Sequence, residues 1–232
     1  RVSGLYPNQQ CWILGNHEQA SELEKLDFDS DHILYEPCGK NTAACIGWAA
    51  FEAIKQDSDA ICVVLSADAW IEPRDAFVQT IKQAVEEVQD KNNVVTIGIN
   101  PTSPHTGYGY IKVNASDTIF KPVDLFVEKP DLETAKKYMN NNYLWNSGNF
   151  FFRNSYMIQE LDKYAPEIIN NIRLTIENSQ LKDKLMSLNE LYFTNVPENS
   201  IDYAVMEKQK NGIVIKYDAS WTDIGSLLSL YN

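Results

Sequence analysis

Ile61-Cys62-Val63-Val64-Leu65-Ser66-Ala67-Asp68 is the stretch whose reading decides the fold. Its apolar half reads as a β-strand. The Ser-Ala-Asp that follows sets an acid where a parallel sheet presents its carboxyl edge, the usual ligand crevice of open α/β sheets. Outward from it, residues 11–14, 32–35, 60–65 and 94–99 are β-rich runs separated by helical stretches. Residues 42–54 are small and apolar behind a Thr that can cap a helix, and Pro73 opens another helix in which Phe77, Ile81, Ala84 and Val88 recur at helical spacing. Strands joined by crossover helices imply an α/β fold with a largely parallel, twisted sheet. In the second half, residues 108–113, 125–127, 149–152 and 213–217 read as strands and residues 131–140 and 200–210 as helices, with Asn140, Asn141 and Asn142 at a helix end. No repeat or low-complexity segment divides the chain, and one domain across residues 1–232 is expected.

Composition excludes several function classes. The longest run without a charged or strongly polar side chain, residues 43–51, is nine residues, too short to span a bilayer as a helix. Thirty-two acidic against twenty basic residues leave a net charge of -12, whose field repels a phosphate backbone, so a non-specific nucleic-acid binder is not expected. Any phosphate ligand must be held locally. Cys11, Cys38, Cys45 and Cys62 lack a Cys-x-x-Cys pair and read as reduced core residues of a cytoplasmic chain. His17, His32 and His105 are too scattered for a metal cluster and read as surface or capping residues. Residues 1–5 lack the regions of a signal peptide, start without Met and read as the last turn of a helix.

Asp68 is a candidate metal ligand or a cap of the turn into the Pro73 helix. Asp223, in Trp221-Thr222-Asp223-Ile224-Gly225, says little alone. Two carboxylates from distant parts of a chain, each at a strand end, are what a hard divalent cation needs when it also binds substrate phosphates. Thr106-Gly107-Tyr108-Gly109-Tyr110 is either a tight turn or a close approach of backbone and ring to a sugar. In Phe126-Val127-Glu128-Lys129-Pro130, alternation sends Glu128 and Lys129 to opposite sides unless Pro130 ends the strand there. Trp145-Asn146-Ser147-Gly148-Asn149 sets polar side chains between aromatic ones, costly if buried without partners, and a hydroxyl-rich ligand would supply those partners. Ser200-Ile201-Asp202 is explained by helix capping.

The order of these segments is more specific than any one of them. Glu36-Pro37-Cys38-Gly39-Lys40-Asn41-Thr42-Ala43, Ser66-Ala67-Asp68, residues 101–111, Phe126-Val127-Glu128-Lys129-Pro130, Leu144-Trp145-Asn146-Ser147-Gly148-Asn149-Phe150, residues 200–208 and Trp221-Thr222-Asp223-Ile224-Gly225-Ser226 together closely resemble the bacterial mannose-1-phosphate guanylyltransferases, within the sugar-1-phosphate nucleotidyltransferases. The resemblance implies a Rossmann-like α/β/α nucleotidyltransferase domain with a mixed, mostly parallel twisted sheet. It implies transfer of GMP from GTP to mannose 1-phosphate, giving GDP-mannose for polysaccharide biosynthesis, with Mg²⁺ on Asp68 and Asp223. By position it puts Asn41, Thr42 and Ala43 at the nucleotide base, Tyr108 and Gly109 at the sugar turn, Glu128 on sugar hydroxyls, Lys129 near the sugar phosphate as a catalytic cation, and Asn146 on the hexose. No nucleic acid and no membrane are implied as partners, and a homo-oligomer is compatible with the reading.

Lys40 stands where the family has Arg, Ser66 where it has Pro, and Ala69 where it has His. The family's Gly-rich triphosphate loop and Pro-Lys pair do not occur, so an N-terminally incomplete domain unable to turn over by itself is expected, with an exposed apolar sheet edge prone to self-association. Rival readings are a nucleotidyltransferase for another hexose 1-phosphate, a non-catalytic sugar-nucleotide-binding paralogue, and a metal-dependent glycosyltransferase.

Overall fold

A computed structural model of the chain describes residues 5–6, 10–26, 28, 32–114, 118–182 and 185–224, with backbone alone at 181, 182, 185 and 186. The expected helical turn at residues 1–4, and Gly225 and Ser226 of the last motif, lie outside the described residues. In chain order the elements are β1 (Ile13–Asn16), α1 (Ala20–Leu23), β2 (Ile33–Glu36), α2 (Asn41–Gln56), β3 (Ile61–Val64), β4 (Ala69–Glu72), α3 (Arg74–Val88), β5 (Val94–Ile99), β6 (Tyr110–Val113) and β7 (Phe120–Val127). There follow α4 (Leu132–Met139), β8 (Tyr143–Arg153), α5 (Asn154–Tyr164), α6 (Pro166–Glu177), β9 (Gln180–Lys182), β10 (Leu185–Ser187), α7 (Glu190–Phe193), β11 (Gly212–Tyr217) and β12 (Ser220–Asp223). The chain divides into two compact units, residues 53–157 with 206–232 and residues 2–52 with 158–205.

The first unit holds a six-stranded sheet in the order β3-β8-β5-β11-β7-β6, with β6 also pairing the start of β8. β5 and β11 are parallel, β8 is antiparallel to β3, β5 and β6, and β7 is antiparallel to β11 and β6. Hence β3, β5, β6 and β11 run one way and β7 and β8 the other. The sheet is mixed, as expected, yet most hydrogen-bonded neighbours are antiparallel because the reversed β8 lies between β3 and β5. β5 is buried along its whole length. The helical stripe read from spacing is real: Phe77, Ile81, Ala84 and Val88 are at most 1% exposed, and α3 packs on β3, β5, β8 and β11. Phe77, Ile81 and Val88 each contribute about 1.5–3 kcal/mol by leaving water.

Two local outcomes differ from the sequence reading. β8 was expected only at residues 149–152 but starts at Tyr143, running through Asn146, Ser147 and Asn149. These polar residues sit in a central strand because neighbouring strands and loops supply hydrogen-bond partners. Gly148, at φ 71°, provides the left-handed backbone beside a register shift between β5 and β8. At residues 200–210 the Ser200 side chain does cap, accepting from Tyr203 N at 3.3 Å, but the turn over Asp202–Met206 is π-helical rather than α-helical. The helix at residues 131–140 is present as α4, capped by Asp131, whose side chain accepts from Thr134 N.

In the second unit β1 and β2 form a parallel pair, Ile13 opposite Ile33 and Asn16 opposite Glu36. α2 buries Ala43, Ala44, Ile46, Trp48 and Ala50, and its Gly47 lets Ile172 of α6 approach so closely that an added Cβ would lie 2.8 Å from Ile172 Cδ1. Glu36 ends β2 only 7% exposed, its Oε1 buried without a hydrogen-bond partner. Burial pushes its carboxyl up to about 7. The neutral form is therefore the one the fold tolerates. As pH rises from about 4.5 to about 7, Glu36 ionises in the unfolded chain while staying protonated in the folded one, so stability falls by about 3 kcal/mol. Glu36→Gln should remove that decline, seen as a thermal midpoint that changes less between pH 4.5 and pH 8 than the unsubstituted protein's. An equal fall in both would take Glu36 out of the account.

Candidate active site

Seven of the ten residues singled out from sequence belong to the first unit, and contacts link them into one site. After β3 ends at Val64, Ser66 donates its backbone N–H to Asn149 Oδ1 at 3.2 Å and its hydroxyl to Asp68 Oδ1. β12 pairs antiparallel with β4 so that Asp223 lies opposite Ala69, and Ile224 N donates to the Asp68 carbonyl at 2.6 Å. Asp68, in the turn just before β4, and Asp223, at the end of β12, are thus brought to the same end of this strand pair. The phenol of Tyr108 registers both, its pKa pushed up first by burial and then by the charges of Asp223 and Asp68.

Tyr108 belongs to an aromatic cluster rather than standing as a free face. His105 stacks on it at 3.9 Å between ring centroids, and Trp145 and Trp221 meet it edge-on at 5.1 and 5.2 Å. His105 also accepts the Gly107 N–H at 3.1 Å, the capping role expected of it, and so shapes the turn leading to Gly109. The indole N–H groups of Trp145 and Trp221 are buried without a hydrogen-bond partner among the described residues.

From this turn the site continues to Glu128 and Asn146. Gly109 accepts the Asn146 N–H at 2.8 Å, and a Cβ on Gly109 would lie 2.5 Å from Glu128 Oε2 and 3.2 Å from Asn146 Cβ. Only a residue without a side chain lets that carboxylate sit against the turn. Pro130 does end the strand: β7 stops at Val127 and Lys129 takes φ 47°. The side chains of Glu128 and Lys129 therefore meet, as an ion pair at 3.1 Å, instead of pointing apart. The Glu128 carboxylate is buried and the Lys129 ammonium half in solvent, and Glu207 Oε1 accepts the Glu128 N–H at 2.8 Å. Burial pushes the Glu128 pKa up, while Lys129 pulls against it and Glu207 adds to it. Gly109→Ala should push the Glu128 carboxylate away from the turn with little change in thermal midpoint, and a crystal structure of the variant with Glu128 in its place would detach Glu128 from the turn.

Asn41, Thr42 and Ala43 lie in the second unit, at the start of α2. Asn41 takes φ 66° and its side chain accepts the Thr42 N–H at 2.9 Å. Thr42 Oγ1 accepts from Ile201 N at 2.9 Å, and Ala43, fully buried, donates its N–H to the Asn199 carbonyl at 3.1 Å. The Glu36–Ala43 segment and the one at residues 199–201 are thereby stitched together.

Residues 10–232 match the model of the Nucleotidyl transferase family. The chain belongs to that family. Among similar proteins is the mannose-1-phosphate guanylyltransferase of Klebsiella pneumoniae, 36% identical over 239 residues that take in 100% of this chain and 50% of the relative. The xanthan biosynthesis protein XanB of Xanthomonas campestris is 41% identical over 94% of this chain and 47% of its own length. This nucleotidyl transferase chain spans about half the length of the curated relatives it matches. Its fold is similar to a solved mannose-1-phosphate geranyltransferase from Thermus thermophilus, with TM-score 0.84 and 26% identity over 97% of this chain and 64% of that one.

Among the described residues of this nucleotidyl transferase, no group of three or more His, Cys, Asp and Glu side chains could by itself hold a metal ion. The Asp68–Asp223 pair fits a different kind of site. Two hard oxygen ligands suit a cation that takes its remaining positions from phosphate oxygens and water. No described helix is long and apolar enough to cross a membrane. Sequence reading missed Thr96, Trp221 and Glu207 as parts of the site. Thr96 carries no motif; its role comes from lying opposite Phe150 in the β5–β8 ladder, within hydrogen-bond reach of Asn146 and Asn149.

Proposed function

We propose that the protein to which this chain belongs transfers a guanylyl group from GTP to mannose 1-phosphate, giving GDP-mannose and pyrophosphate. The observation that carries the reading is the convergence of Gly109, Glu128 and Asn146 beside the Asp68–Asp223 pair, a hydroxyl-recognising pocket next to paired hard ligands. The names of its relatives supply the nucleotide and the sugar. Glu128 and Asn146 accept from and donate to hexose hydroxyls, and the Tyr108–Gly109 turn bounds the ring. Lys129, tethered to Glu128 but largely in solvent, holds the sugar phosphate. One oxygen of that phosphate attacks the α-phosphorus of GTP as the bond to the β-phosphate bridging oxygen breaks, and pyrophosphate leaves; no covalent enzyme intermediate is required. Mg²⁺ on Asp68 and Asp223 would offset negative charge on the phosphates. Asn41 and Thr42, exposed at the start of α2, meet the nucleotide base, with Ala43 supporting them from the core. The substrates are cytoplasmic metabolites, and the protein works there.

The test is pyrophosphate release by the gene product with Mg²⁺, crossing GTP, ATP and UTP with mannose 1-phosphate and glucose 1-phosphate. GTP with mannose 1-phosphate should lead. Preference for any other pair overturns the reading.

A further inference from the structure

We infer that Ser66 is a positioning residue of this site, orienting the Asp68 carboxylate and joining it, through Asn149 and the buried Thr96, to the Asn146 amide. The inference rests on the reading that Asp68 serves a cation and Asn146 a sugar. It goes beyond that reading because Ser66 and Thr96 touch neither.

The hydrogen bonds form an unbroken chain within one unit. Asn146 Oδ1 and the Asn149 carbonyl both lie 3.0 Å from Thr96 Oγ1, whose single proton they share, and Thr96 is fully buried. Asn149, also fully buried, accepts the Ser66 N–H on Oδ1 and donates from Nδ2 to Ser147 Oγ at 2.9 Å and the Ser147 carbonyl at 3.3 Å. The Asn149 side chain is therefore held from both ends and cannot turn. Ser66, seated by it, donates its hydroxyl to Asp68 Oδ1. Gly148 takes φ 71°, a backbone conformation that suits glycine, on the strand segment that carries Ser147 and Asn149.

Asp68 is exposed, and an exposed carboxylate on a strand-end loop samples several rotamers. A hydroxyl donated to one oxygen is a charge-assisted bond that selects one of them and occupies Oδ1, turning Oδ2 outward as the cation-facing oxygen. A Pro at position 66 could make neither bond, having no N–H and no hydroxyl. The chain of hydrogen bonds also makes the two halves of the site answer to each other, because a shift at Asn146 moves the acceptor that Thr96 shares with the Asn149 backbone.

The test uses Mn²⁺ as a paramagnetic probe, titrated into the protein, Ser66→Ala, Ser66→Pro and Asp68→Asn, with thermal midpoints measured alongside. Removing a group that orients a metal ligand costs about tenfold or more in affinity, so Ser66→Ala should weaken Mn²⁺ binding by about that factor at unchanged midpoint, and Ser66→Pro by at least as much with a lowered midpoint, because it also takes the N–H from the buried Asn149 Oδ1. Mannose 1-phosphate is then titrated with and without Mn²⁺ into Thr96→Val and Thr96→Ser. In the Val variant the Mn²⁺-induced gain in sugar-phosphate affinity should fall toward none, and Ser should restore it. Unaltered Mn²⁺ affinity in Ser66→Ala, with Asp68→Asn impaired, overturns the role of Ser66 and leaves the metal reading standing. An unaltered gain in Thr96→Val overturns the link to Asn146. If Asp68→Asn binds Mn²⁺ as the unsubstituted protein does, the metal reading fails and this inference with it.

Discussion

Replacing Asp68 or Asp223 with Ala should lower guanylyl transfer by about 10³-fold or more and weaken Mg²⁺-dependent binding of GDP-mannose, while the fold persists. The size of the effect follows from charge. A triphosphate entering a chain of net charge -12 needs a cation to be held at all, and losing one of two carboxylates removes half the protein's anionic ligands to it. The small cost in stability follows from position. Asp68 is exposed and Asp223 only half-buried, and the pairing of β4 with β12 is made by backbone groups, which an Ala retains. Turnover in both variants, compared with thermal midpoints, checks the prediction. Undiminished activity in Asp223→Ala would remove that residue from the site.

Glu128→Gln should weaken mannose 1-phosphate binding by about 10²-fold, and a mannose 1-phosphate lacking the hydroxyl that Glu128 accepts from should lose a similar factor with the unsubstituted protein. A site built around hydroxyls suffers doubly from their loss, since its own polar groups are then left unpaired. The carboxylate is buried and already balanced by Lys129, so the amide also leaves that ammonium without its ion pair. Because burial raises the Glu128 pKa, its ionised form is lost at a higher pH than for an ordinary glutamate. Sugar-phosphate affinity should accordingly fall on acidification earlier in the unsubstituted protein than in the Gln variant. If calorimetry finds equal affinities for both proteins and both sugars, Glu128 is not the hydroxyl acceptor.

Much of the scaffold is readable from local pattern. The run at residues 60–65 and the stripe Phe77, Ile81, Ala84 and Val88 became β3 and α3 because burial of a strand or helix face requires the periodicity those residues carry. Ser200 is legible as a cap because it acts within its own first turn. β4 and β12 are not legible, because each takes its strand partner from about 150 positions away. β8 reaches further than its local pattern suggests because Asn146, Ser147 and Asn149 look like loop residues.

What makes them strand residues is partners 50 and 83 positions away, Thr96 for Asn146 and Ser66 for Asn149, which no periodicity within a window can register. The sequence by itself determined which residue types are available for metal and sugar chemistry, and its motifs named Asp68, Glu128, Asn146 and Asp223 in order along the chain. The tertiary structure alone decided that Asp223 stands beside Asp68, that Pro130 turns Lys129 back onto Glu128, and that Gly109 admits the carboxylate. Those are distances between strands, set by register and backbone dihedrals, and register is a property of two strands at once.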